Sequence, residues 1–172
     1  MQKNKFHLAS IGLFILFSLL SSVAHSEIKI AVLNFELNDL TLRPGTEDEL
    51  ERTASVAPLL RNEFETKYNY KIVHIDADTQ EEADEGFGYL FDHADVSADL
   101  CKEHGADWIL VGRVHKPSFL FAYLKAHLVN CETRRPAGDY VIEVKGDAKK
   151  FTIKGVENLA IKVNQTLKEK TK

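Results

Sequence analysis

The sequence is poor in several things. Its 172 residues hold two cysteines, four prolines, one tryptophan and one methionine. Two cysteines exclude a disulfide-built scaffold and a zinc site with four cysteine ligands. Positive charge is not in excess: 22 Lys+Arg face 26 Asp+Glu, a formal charge of −4. That balance excludes nucleic acid as the main partner, because phosphate backbones are held by clustered Lys and Arg. No Cys-x-x-Cys, His-x-x-x-His, Glu-x-x-His or Gly-x-Ser-x-Gly pattern occurs. The usual redox, zinc-hydrolase and serine-hydrolase signatures are therefore missing. The apolar run Leu8 to Leu20 is shorter than the ~20 residues a membrane-spanning helix needs, and no later segment approaches that length.

What is present begins with an address. Lys3 and Lys5 precede that apolar run, and Ala24-His25-Ser26 has the small-x-small form of a cleavage site. Residues 1–26 are expected to be a secretory signal, leaving 27–172 as one secreted domain without a transmembrane span. Lys3 and Lys5 leave with it, so the mature balance is 20 Lys+Arg against 26 Asp+Glu. A chain of ~150 residues can bury roughly two thirds of its unfolded surface, enough for its own core.

Patterning along the mature chain predicts a mixed-sheet α/β (α+β) domain of order β-α-β-α-β-β-β-α. The apolar run over Glu27–Glu36 predicts a central strand. Thr46-Glu47-Asp48-Glu49 resembles a capping box, Pro58 is expected to interrupt the helix it starts, and a second helix is expected over Ala57–Tyr68. Tyr70–Ile75 reads as a strand and 76–93 as a long acidic loop. A helix should end at Gly105. Asp107–His115, Phe119–Cys131 and Asp139–Lys145 read as strands. Val156, Leu159, Ala160, Val163 and Leu167 form the stripe of a terminal helix over 154–170.

Three segments carry a resemblance. Ile-Ala-Val-Leu-Asn-Phe-Glu-Leu-Asn-Asp-Leu (30–40), Arg-Thr-Ala-Ser-Val-Ala-Pro-Leu-Leu (52–60) and Gly-Ala-Asp-Trp-Ile-Leu-Val-Gly-Arg-Val-His-Lys-Pro-Ser (105–118) resemble an uncharacterised family of secreted bacterial proteins, a domain of unknown function. The opening strand Ile30–Phe35 and the stretch Leu100–Gly112 are more remotely similar to periplasmic domains. These are the domains of TolB, of the curli secretion channel protein and of the lipoprotein activator of penicillin-binding proteins. The resemblance implies a periplasmic fold that binds envelope partners and does no catalysis.

The candidate functional residues follow from pattern. A hairpin turning at Lys116-Pro117 makes opposed residue numbers sum to about 233, which puts Cys131 opposite residue 102. A Cys101–Cys131 disulfide is therefore expected in an oxidising compartment, the alternative being two buried thiols. On Phe119–Cys131, Leu120, Ala122, Leu124, Ala126 and Leu128 share one face. Phe119, Phe121, Tyr123, Lys125, His127 and Val129 share the other. With Arg113 and His115 beside it, the second face is a candidate partner surface, its alternative being a second core face or a homodimer contact. Asn34, Glu36 and Asp39, at the carboxyl end of the first strand, are candidate ligand-binding residues, the alternative being a polar strand end feeding a loop.

The acidic loop does not fit an EF-hand, since Glu81 stands where glycine is needed and Phe87 where the last acid is needed. A solvated loop is expected, with no metal site, no cofactor and no catalytic residue. The first expectation is thus a non-enzymatic binder of an envelope protein. The alternative is a small-molecule or metal-ion carrier using the strand edge and acidic loop.

Overall fold

A computed structural model describes residues 27–145 and 148–171. The expected signal segment, 1–26, lies outside the described residues. Eleven elements follow in order. They are β1 Lys29–Val32, β2 Glu36–Asp39, α1 Glu47–Tyr68, β3 Lys71–Val73, α2 Ala77–Glu82, α3 Tyr89–Asp92, α4 Ala94–Glu103, β4 Trp108–Lys116, β5 Phe121–Asn130, β6 Arg135–Lys145 and α5 Ala148–Lys170. The six strands form one mixed sheet of order β3-β1-β4-β5-β6, with β2 also pairing β4. β1 runs parallel to β3 and β4, whereas β4, β5 and β6 form an antiparallel meander. The expected mixed α+β order is the observed one.

Two cores result. α1 and α5 bury Val56, Leu60, Phe64, Val156, Leu159, Val163 and Leu167 against one sheet face, with Ile30, Val32, Leu110, Leu124 and Leu128 beneath them. α4 covers part of the other face, over Ala31, Leu33, Ile109, Val111 and Val129. The disulfide Cys101–Cys131 lies in this second core, with Cα atoms 5.8 Å apart. Gly105 takes a left-handed φ of 75° as α4 ends.

Where the elements differ from expectation, tertiary packing is the reason. α1 passes through Pro58 without a break. The buried stripe Thr53, Val56, Ala57, Leu60 and Phe64 continues on both sides of an exposed Pro58. Burying one continuous face outweighs the ~3 kcal/mol that an interior proline costs. The Thr46 side chain makes no cap; Glu49 turns to Arg52 and Lys116 instead. Asp76 caps α2 inside the presumed loop, accepting from the Thr79 N–H at 2.8 Å. The meander register also differs. β4 runs on through Lys116, so opposed numbers sum to 238 (Trp108↔Asn130) and Cys131 faces Asp107 rather than residue 102. The disulfide forms because α4 packs back across β4.

The main surprise sits between β1 and β2. Both pair with β4, Val32 with Leu110 and Glu36 with Arg113. The first strand therefore advances four residues while its neighbour advances three. The extra residue is a bulge, and it inverts which side chains face which layer. Ile30 and Val32 lie in the α1/α5 core, and beyond the bulge Phe35 and Leu37 take over that side. Phe35 lies flat over Gly112, where a Cβ would strike its ring. Glu36 and Asn38 are thereby turned toward the opposite face.

Candidate functional site

The bulge is the organising centre of the site. Its backbone cannot join a regular ladder, so side chains satisfy it. Gln80 on α2 clamps Asn34 at both ends. Its Oε1 accepts from the Asn34 N–H at 2.8 Å, and its Nε2 donates to the Asn34 carbonyl at 3.0 Å. On the other side Arg61 of α1 donates Nε and Nη2 to the Val32 carbonyl, at 3.1 and 2.6 Å. Its Nη2 also reaches Asn34 Oδ1 at 3.3 Å.

Glu36, turned outward by the bulge, accepts the Gly88 N–H on Oε1 at 2.7 Å. Gly88 has a left-handed φ of 84°, and a Cβ there would lie 3.1 Å from Arg113 Nη2, so glycine suits both the backbone and the space. The Arg113 guanidinium stacks 3.7 Å from the Phe91 ring centroid and 5.5 Å from that of Phe87. Its Nη2 lies 3.5 Å from Asp92 Oδ1, and its Nε 4.0 Å from Glu36 Oε2. This knot pins the 76–93 segment to the sheet. A groove of about 350 Å³ opens beside it, lined by Asn34, Gln80, Glu81, Asp84 and Phe87 among others.

Burial is the largest influence on the Glu36 carboxyl and raises its pKa. The Gly88 N–H and the Arg113 charge oppose that rise, and the Asp84 and Asp92 charges add to it. A carboxyl whose folded pKa exceeds its unfolded one favours folding while protonated, and the contribution is lost as pH rises through the folded value. Glu36→Gln cannot ionise. The variant is expected to gain stability relative to the parent as pH is raised from about 4 to 7. Paired urea midpoints measure this, and a difference that stays flat or shrinks with pH would refute it.

Asp39 has a local task. Its Oδ1 accepts from the Thr41 N–H at 3.0 Å and its Oδ2 from the Gly45 N–H at 3.2 Å, closing the loop ahead of α1. Burial alone would raise its carboxyl, but these bonds and Lys116 bring it below the ordinary value. Of the three candidate ligand residues, then, Asn34 lines the groove, Glu36 braces Gly88, and Asp39 shapes a turn. The structure does not bring all three to one cavity.

The candidate partner residues divide in the same way. Arg113 is enclosed in the knot. His127 packs on Phe91, ring centroids 4.0 Å apart, and its Nδ1 meets Asp139 Oδ1. His115 Nδ1 lies 3.2 Å from Asn38 Nδ2, and burial, with Lys125 and Arg113 nearby, lowers its pKa. Phe119 lies in the turn ahead of β5, Phe121 opens that strand, and Tyr123, two residues on, is half-buried. Phe119 and Phe121 stand 66% and 38% exposed.

The alternation puts Leu120 on the same strand face as Ala122, yet Leu120 is 71% exposed, because it belongs to the turn 117–120. Sequence reasoning also missed Leu40 and Leu42, 62% and 93% exposed. The Leu40 N–H donates to the Lys116 carbonyl at 2.9 Å, which brings that loop to the β4–β5 turn. Beneath them Lys116 Nζ pairs with Glu49 at 2.6 Å and lies 5.7 Å from the Phe119 ring. Leu40, Leu42, Phe119, Leu120 and Phe121 thus form an apolar rim at one end of the sheet. The signal that could have found it was two apolar residues inside a polar, turn-forming stretch.

Among the described residues no group of three or more His, Cys, Asp or Glu converges as a metal site. None of the described helices is long and apolar enough to cross a membrane.

A bulged mixed sheet with helices on both faces, one buried disulfide and an apolar rim defines a small α+β domain with exposed apolar surface. The chain belongs to the DUF3280 family, described as a protein of unknown function (DUF2380), which matches residues 28–163. No curated protein matches it in sequence. Among solved structures it is similar to the LpoB C-terminal domain from Salmonella enterica, at 11% identity and TM-score 0.48, covering 77% of this chain and 93% of that one. It is also similar to lipoprotein GNA1162 from Neisseria meningitidis, at 18% identity and TM-score 0.46, covering 80% and 94%. TolB from Acinetobacter baumannii, resembled already in sequence, matches at 10% identity and TM-score 0.49. That match covers 82% of this chain but 28% of TolB.

Proposed function

We propose that this protein works outside the cytosol, in the bacterial envelope, as a non-enzymatic binder of a partner protein. The observation that carries the reading is the apolar rim. Five large apolar side chains stand exposed on the two loops at one end of the sheet, and exposed apolar clusters of this kind mark interaction sites. Such a patch is costly to leave in water and gains most when a partner covers it. The buried disulfide supports an oxidising compartment, where such bonds persist.

The test is capture of partners from periplasmic extract by the parent chain and by a triple variant, Leu42→Glu, Phe119→Glu and Leu120→Glu. All three side chains are exposed, so the fold is expected to tolerate the change. Specific capture by the parent that falls at least tenfold in the variant supports the reading. Equal capture by both would remove the rim from it.

A further inference from the structure

The bulge also changes which backbone groups of the opening strand point away from β4. Ahead of it the Leu33 N–H donates to the Leu110 carbonyl at 3.0 Å, and beyond it the Leu40 N–H donates to the Lys116 carbonyl at 2.9 Å. Odd-numbered residues therefore bond to β4 before the bulge, and even-numbered ones after it. Val32 and Asn34 face outward on the first side, and Leu37 and Asp39 on the second. β3 is the outer neighbour only as far as Ala31↔Val73. Where it stops, side chains take over. Arg61 covers the Val32 carbonyl, and the Gln80 carboxamide covers both the N–H and the C=O of Asn34, as a neighbouring strand would. The covering ends there. Among the described residues none bonds to the outward N–H and C=O groups of Leu37 and Asp39, and β2 is only half-buried along its length.

We infer that this outer edge of β2 is where an extended segment of the partner protein adds as a short strand, with a lysine or arginine at its groove end and apolar side chains at its rim end. The inference rests on the reading of the rim as the partner's surface, and adds the partner's form and charge. Main-chain bonds to Leu37 and Asp39 supply the template, and the two ends of the edge supply selectivity. At the Asn34 end lies the groove lined by Glu81, Asp84 and Phe87. Glu81 is exposed, Asp84 spends one oxygen on the Gly86 N–H, and neither is ion-paired among the described residues. No Lys or Arg occurs from 76 to 101, so a cation entering the groove meets no like charge from that segment. At the other end β2 runs directly into Leu40 and Leu42. An extended chain of about 20 Å joins the two ends.

Blocked Lys-Thr-Val-Thr-Val-Leu and its reverse, which cover both strand directions, test this on the oxidised protein. One of them is expected to bind, and to slow hydrogen exchange at the Leu37 and Asp39 amides while the Asn38 amide, bonded to β4, stays as it was. Glu in place of Lys should weaken binding by about tenfold or more, and Glu81→Lys, an exposed substitution, should remove most of that preference. N-methylation of alternate peptide amides, in two complementary sets, is expected to abolish binding in one set only, because one parity alone faces β2. Failure of both peptides to bind, unchanged exchange at 37 and 39, equal binding of the Lys and Glu forms, or equal binding of the two N-methylated sets would overturn the inference. So would slowed exchange at 37 and 39 that appears with protein concentration alone, since a second copy would then be the occupant. The rim reading can fail separately. Lost capture by the rim variant, with exchange at 37 and 39 indifferent to peptide, keeps the rim and overturns the edge. Full capture by that variant, with exchange slowed by peptide, keeps the edge and removes the rim.

Discussion

Replacing Phe64 by alanine is expected to lower stability by about 3–5 kcal/mol, the largest effect of any single side-chain truncation discussed for this chain. Phe64 is fully buried. Its ring lies 6.4 Å from that of Tyr68 and 6.0 Å from that of Tyr70. The same residue ends α1, because its carbonyl accepts the Tyr70 N–H at 3.0 Å. Tyr70 in turn donates its hydroxyl to Asn164 Oδ1 at 2.8 Å, which ties the α1 terminus to α5. Truncation would open a cavity where two helices and β3 meet, and the tyrosines would lose an aromatic neighbour. With a urea m-value in the range common for small proteins, the midpoint should fall by ~2 M. A loss below ~1 kcal/mol would mean that the two helices re-pack around the gap.

Removing the disulfide comes second. The double variant Cys101→Ala, Cys131→Ala opens a loop of sequence separation 30. In the chain-entropy model such a link contributes about 3–4 kcal/mol by restricting the unfolded chain. Alanine pairs avoid burying two thiols or hydroxyls in the second core. The parent should melt at a markedly lower temperature with strong reductant present, whereas the variant should be indifferent to it. Equal melting of the parent in both states would show that the bond adds nothing to stability.

Much of this architecture is legible in the residues. The stripe Val156, Leu159, Ala160, Val163 and Leu167 is buried throughout, because helical period alone determines it. The alternation from Ala122 to Leu128 holds for the same kind of reason. The cysteine pairing is also legible, though through a register five residues away from the real one. What is not legible is whatever depends on distant partners. Gln80 sits in a polar stretch like its neighbours, and nothing local marks it as the clamp on Asn34, 46 residues earlier. Arg113 looks like a surface cation on a strand until Phe87 and Phe91 fold over it. The odd residue at the bulge is hidden because Ile30–Leu33, ahead of it, is apolar in both parities. Its composition does not say where the strand changes face, and that change decides which way Glu36 and Asn38 point.

The extra residue near Asn34 also makes chain length a fixed quantity there. Drawing the stretch between Val32 and Glu36 into a regular ladder with every residue kept would roll Phe35 and Leu37 out to solvent and drive Glu36 and Asn38 inward, whereas deleting Asn34 would keep their facing but remove the group that Gln80 and Arg61 hold. The Leu40–Gly45 connection has no such parity to keep. Among descendants of this sequence, gaps in alignment should collect in the latter and be purged from the former.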